Sequence, residues 1–170
     1  MTISFEPLCK SANGKKVVYD PINSHTATHF HDAPKLRKLV IEILSKKNLE
    51  GELITGDIDM GKVVGDSDVV EVDESDEIVY AMRKNRADQG YVPFTKSRKT
   101  QPTSIVSIYL ARKDDVTYEL SSAWIGEYDS PMFPQMNNAT DDSIPYWSKH
   151  AFVWGSQEII PGTELTDCPW

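Results

Sequence analysis

Apolar residues recur at helical spacing in one stretch. Leu36, Leu39, Val40, Ile43 and Leu44 form a stripe, with Lys35, Arg37, Lys38 and Glu42 at the other positions. The pattern predicts a helix over about residues 33–47. Asp32 stands where an N-cap would, Pro34 suits the first turn, and Lys46 and Lys47 suit the negative end of the helix dipole. Such a stripe must be buried, and a sheet is the expected partner.

Elsewhere the period is two, or the runs are short and β-branched. Lys16–Tyr19 reads as a strand stopped by Asp20-Pro21. Residues 52–55, 60–64 and 69–72 are short strand candidates separated by Gly56, Gly61 and Gly65, and residues 77–82 make a better one. Residues 103–126 read as two strands joined by a charged turn. Val106, Ile108 and Leu110 alternate on the first, while Tyr118, Leu120, Ser122 and Trp124 share a face of the second. The turn holds Asp114-Asp115 and no glycine, which favours a longer loop over a tight primed turn. Residues 83–102, punctuated by Gly90, Pro93 and Pro102, read as irregular, and residues 126–142 as a long loop. Ser143 and Pro145 open a short helix, Ala151–Trp154 forms a last strand, and residues 1–14 and 161–170 read as an arm and a tail. The expected fold is α+β: one amphipathic helix packed on a mainly antiparallel β-sheet, with a short C-terminal helix, in a single domain of residues 1–170.

Composition narrows the class. A chain of 170 residues can bury a core without staples, and Cys9 and Cys168 do not make a disulfide framework. The net charge of −8 argues against a general nucleic-acid coat but leaves room for a local basic groove. No apolar run approaches the ~18 residues of a membrane span, and no secretory pattern opens the chain, so a cytoplasmic protein is expected.

Two stretches carry candidate chemistry. His25, His29 and His31 hold three of the four histidines. On a strand they would point the same way and suit zinc; as acid–base groups they titrate near neutrality; as part of a polar loop they would simply bond to backbone. These readings stay open together. The second stretch is a basic run, Arg83, Lys84, Arg86, Lys96, Arg98 and Lys99, interleaved with Tyr91 and Phe94. Arginine forks match phosphate and aromatic rings stack on bases. The competing reading is a solvated loop balanced by the acidic run at residues 66–77. No phosphate loop is present, since Gly56–Gly61 is followed by Lys62-Val63 and not by the Lys-Ser/Thr that the motif needs. No serine of the hairpin sits in a nucleophile elbow.

The helix, the following antiparallel strands, the basic residues before Thr103 and the stretch Thr117–Gly126 together resemble the ribonuclease superfamily of barnase, EndoU and colicin D, over about residues 29–126. Residues 121–154 also resemble part of an uncharacterised bacterial family. The ribonuclease resemblance implies metal-independent cleavage of RNA or another phosphodiester. His29 or His31 would be the base, and Arg83, Arg86 and Arg98 the phosphate ligands. Thr103 and Ser121 would be hydrogen-bond donors, and Lys84 and Tyr91 would lie on the substrate path. No cofactor is expected under that reading; zinc on His25, His29 and His31 is the alternative. A phosphorylated small molecule is the alternative ligand. A non-enzymatic binding module using the 126–142 loop is the alternative role.

Overall fold

The structure, a computed structural model, describes residues 4–22, 25–127 and 130–170, and of His25, Thr28 and Asp32 it describes the backbone. In chain order the elements are β1 (Glu6–Lys10), β2 (Lys16–Tyr19), α1 (His25–Asp32), α2 (Pro34–Ser45), β3 (Leu53–Asp59), β4 (Gly65–Ser67), β5 (Val69–Glu71) and β6 (Ile78–Met82). After a 3-10 turn at Ala87–Gln89 come β7 (Tyr91–Thr95), β8 (Gln101–Thr103), β9 (Ile105–Arg112), β10 (Thr117–Ile125), α3 (Ser143–Trp147) and β11 (His150–Val153). The fold is α+β, with antiparallel pairing predominant. No helix among the described residues is long and apolar enough to cross a membrane. The chain forms two compact units, Met1–Gly65 with Thr103–Tyr128, and Asp66–Pro102 with Asp129–Trp170. The chain passes from one to the other within β4 and within β8.

The first unit is a five-stranded sheet in the order β1-β2-β10-β9-β3. Leu36, Val40, Ile43 and Leu44 of α2 are buried with Val106, Ile108, Leu110, Tyr118 and Leu120 in one mainly aliphatic core, as the helical stripe requires. Several expectations shift. Residues 1–14 contribute β1, which pairs antiparallel with β2. Its bulge between Pro7 and Cys9 breaks the alternation that would have marked it. The histidine stretch is a helix, α1, so Asp32 closes that helix and Ala33 takes the N-cap position of α2 with no side-chain cap bond. α1 is hidden in the sequence because Thr26, an unusual core residue, is one of its buried positions beside Phe30. Residues 60–64 form no strand; Asp59 accepts from the Gly61 amide and turns the chain there.

The β9–β10 hairpin closes through a four-residue loop at 113–116, in which Asp114 accepts from the Val116 amide and the Lys113 amide donates to Thr117. A bulge between Leu120 and Ser122 inserts Ser121 into β10. Every side chain beyond it changes face, so Ala123, not Trp124, continues the buried row of Tyr118 and Leu120.

The second unit is a four-stranded sheet in the order β5-β11-β7-β6. Its core is aromatic: Phe94, Phe133, Trp147 and Phe152 gather with Ala81 and Val92. The stretch expected to be irregular supplies β7, an interior strand, despite Pro93. The reason is register. Pro93 faces Tyr80, whose N–H and C=O point away from β7 to Leu165, so this pair exchanges no ladder bond. On its other side β7 meets β11 only at Phe94 and Thr95. A proline is therefore tolerated where it ordinarily is not. The expected tail is also structural. Ile160 donates to Met82, Lys84 to Glu158, and Leu165 and Tyr80 exchange both bonds, at 2.7–2.9 Å, so the segment covers the outer edge of β6. Trp170 packs edge-on against Tyr80, their ring centroids 5.2 Å apart.

Candidate functional site

The expected site residues divide between the units. His29, His31, Thr103 and Ser121 belong to the first, and Arg83, Lys84, Arg86, Tyr91 and Arg98 to the second. On α1, His29 is half-buried and His31 exposed. Two residues along a helix turn a side chain through about 200°, so these two do not share the face a strand would have provided. The side chain of His25 lies outside the described residues. Among the described residues no three His, Cys, Asp or Glu side chains are grouped to hold a metal ion.

Thr103 is tied into its own turn, its Oγ1 accepting from the Ile105 amide at 3.1 Å and its carbonyl from Val64 at 2.9 Å. Ser121 is the bulge residue. Beside it the buried Thr26 hydroxyl donates to the Leu120 carbonyl at 2.9 Å. A surface depression of about 390 Å³ in this unit is lined by Asn13, Lys15, Leu49, Glu50, Gly51, Arg112 and Tyr118. Its polar groups serve the fold: Asn13 bonds both backbone groups of Leu49, Tyr118 donates to Gly51, and Lys15 donates to Asp115.

In the second unit two members of the basic run, Arg98 and Lys84, are engaged by acids. Arg98 grips Asp76 with two bonds, at 2.8 and 3.0 Å, and reaches Asp73 at 3.2 Å. The Arg98 side chain, with the Asp73 amide, holds the Asp76 carboxyl below its ordinary range. Lys84 pairs with Glu158 at 2.8 Å. The acidic run thus answers part of the basic one. Lys96 stands 4.8 Å over the ring of Trp154. The Tyr91 amide donates to Gln135 at 2.9 Å, which fastens the 131–136 segment to the start of β7. At Gly90 the backbone (φ 69°, ψ −153°) suits glycine alone, and an added Cβ would meet the Gln135 side chain at 2.5 Å.

Arg83 differs from these. It follows β6 and is half-buried, with its guanidinium 4.8 Å above the ring of Phe152. Nη1 donates to Gln89 at 3.1 Å and Nη2 to Gln157 at 2.9 Å. Gln157 in turn donates to Asp68 at 2.6 Å. Asp68 is therefore reached through a neutral amide, and among the described residues Arg83 makes no ion pair of its own. Burial first, and then the neighbouring charge of Arg86, push the Arg83 pKa down to about 10, against a weaker upward pull from Asp68. The turn that follows brings Arg86 back, its amide donating to the Arg83 carbonyl at 3.1 Å, with Asn85 in the left-handed region at φ 60°. Arg83 is thus held by neutral amides, with the charge of Arg86 close enough to act on it. His150, on the same sheet, is stacked on Tyr146 at 3.9 Å with Nδ1 against the Tyr146 carbonyl at 2.9 Å.

Gln89, Gln157, Asp68 and Phe152 were not singled out as site residues from sequence. Glutamines carry no pattern, and Gln157 lies 74 positions from the arginine it holds. The chain matches no protein-family model, no curated protein and no solved structure.

Proposed function

We propose that the protein binds a phosphate-bearing ligand, anchored in the second unit by Arg83 with Arg86 beside it. The observation that carries this reading is the state of Arg83. Its charge is partly desolvated, next to a like charge, and oriented by two neutral amides rather than by a carboxylate. An anion would relieve the repulsion between the two cations and strengthen in a site of reduced dielectric. A guanidinium has five N–H donors, and two of them have acceptors in Gln89 and Gln157. Phe152 beneath the guanidinium fixes its plane.

The binding reading draws only on residues of the second unit; a phosphodiesterase on the ribonuclease pattern would in addition need a base such as His29 or His31, residues of the first. The test is a titration with inorganic phosphate and with a short single-stranded RNA, followed by side-chain NMR of arginine Nε and glutamine amide groups. Shifts at Arg83, Gln89 and Gln157 that saturate, weaken with salt and vanish in Arg86→Gln are the expected result. Absence of any shift at millimolar phosphate or RNA sinks the proposal. RNA cleavage with turnover, abolished by His29→Ala, would replace it with phosphodiester chemistry.

A further inference from the structure

Two pairs of cations in the basic run are held in different ways. Lys84 and Arg98 sit in ion pairs, with Glu158 and with Asp73 and Asp76. Arg83 and Lys96 make no ion pair among the described residues. Each stands over an aromatic ring instead, at 4.8 Å, Arg83 on Phe152 and Lys96 on Trp154.

The rings belong to one row. Phe94 faces Phe152 across the parallel pair of β7 and β11, so the two side chains leave the sheet on the same side. Trp154 is two positions beyond Phe152, and Lys96 two beyond Phe94, which brings both to that side. The ladder runs on far enough to hold them there, since the Trp154 amide donates to the Thr95 carbonyl at 2.9 Å. The Phe94 ring lies 5.8 Å from that of Phe152 and 5.6 Å from that of Trp154. Phe94 and Phe152 are buried, but Trp154 closes the row in the open, at 36% exposure. Its indole N–H meets no acceptor among the described residues.

The hold of Lys96 on that ring is weak. A cation over an exposed ring contributes less than a base stacked on one. Lys96 is itself exposed, on a flexible stem, with no carboxylate engaging it. A planar group can take its place over the indole and release the ammonium for an anion. Only the Phe94 ring separates the ring under Arg83 from the ring under Lys96, a gap that suits a phosphate joined through a sugar to a base.

We infer that the phosphate-bearing ligand is a nucleotide, its phosphate on Arg83 with Arg86 beside it, its base stacked on Trp154, and Lys96 turned to the phosphate. This rests on the reading of Arg83 given above and adds the second point of contact. Free phosphate or a sugar phosphate fills one end of the row alone. Every base has a π-face, so stacking selects nucleotides as a class and not one base.

The test uses the full chain and the probes inorganic phosphate, ribose 5-phosphate and adenosine 5′-monophosphate. The monophosphate should bind about tenfold or more tightly than ribose 5-phosphate and should shift the Trp154 indole N–H in a nitrogen–proton NMR spectrum. Trp154→Leu should remove that advantage and leave the binding of inorganic phosphate as it was, which also reports an intact fold. Trp154→Phe, which keeps a ring, should retain most of the advantage. Lys96→Gln should lessen the salt dependence of monophosphate binding. If Trp154→Leu loses inorganic phosphate too, the unmodified chain decides: the indole shift must appear with the monophosphate and not with ribose 5-phosphate. The dinucleotide adenylyl-adenosine separates the sources, binding more tightly than the monophosphate where the ligand is a strand and less tightly where it is a free nucleotide. Equal binding of the monophosphate and ribose 5-phosphate, or an advantage that survives Trp154→Leu, overturns the stacked base and leaves the Arg83 reading standing. If no probe binds, both fall.

Discussion

The two units solve the problem of a core in different ways. The first lays an aliphatic helix on a five-stranded sheet, and its buried residues are mainly Leu, Ile and Val, with Tyr19, Phe30 and Tyr118 among them. The second, among its described residues, has one α-helix of five residues and fills its centre with rings: Phe133 and Trp147 lie tilted 4.6 Å apart, Trp147 and Phe152 stack 5.7 Å apart, and Phe94 and Phe152 lie 5.8 Å apart. Aliphatic packing is spread over many interchangeable contacts. Aromatic packing concentrates area in a few rings whose orientation matters. The second unit therefore depends more on single residues and on the segments that place them, including the 131–136 segment.

The sharpest way to break the comparison is to remove its central ring. Phe152→Ala takes away the surface shared by Phe94, Phe133, Trp147 and Arg83, and should cost about 3–5 kcal/mol. Hydrogen exchange should show protection lost first at β7 and β11. If Leu110→Ala in the first unit costs more than Phe152→Ala, the contrast is wrong. Gly90→Ala comes next. It places a Cβ in a glycine-only conformation and against Gln135, so a loss of about 1–3 kcal/mol in urea unfolding is expected. In the first unit, Thr26→Val leaves the buried Leu120 carbonyl without its donor, at about 1–3 kcal/mol, and should appear as faster exchange around the bulge.

The smallest effect is electrostatic. The Asp76 carboxyl is held below its ordinary range, as is that of Asp73, chiefly by bonds from Ser75. A carboxyl whose folded pKa is depressed adds stability that is present above its unfolded value, about 3.9, and is lost as pH falls through the folded value. Stability should therefore fall from about pH 4 downward. Arg98→Gln should raise the Asp76 pKa towards the ordinary range in a carboxylate NMR titration and shrink that acid dependence. An unchanged Asp76 titration would show that Arg98 does not set it.

What was legible in the sequence follows the same divide. The stripe on α2 and the apolar row of β9 were readable because one face of each is buried by residues of one kind. α1 was not, since its inward positions include a threonine whose role depends on a carbonyl 94 residues away. The bulge at Ser121 left no mark, yet it reversed the face assigned to Trp124. β7 was obscured by Pro93 and the surrounding cations. The segment at 158–165 is held by backbone bonds, which no side-chain pattern records. Among the candidate site residues, Arg83 was visible as one arginine in a basic run. Its difference from Arg98 and Lys84 lies in partners distant in sequence.

The position of β11 has a consequence for synthesis. It lies between β5 and β7, although both are translated well before it. A nascent chain therefore exposes Val92 and Phe94 while their neighbouring strand is still in the ribosome. The first unit can close once β10 has emerged, whereas the second must wait for residues 150–165. During that interval β7 is the stretch a chaperone would be expected to shield.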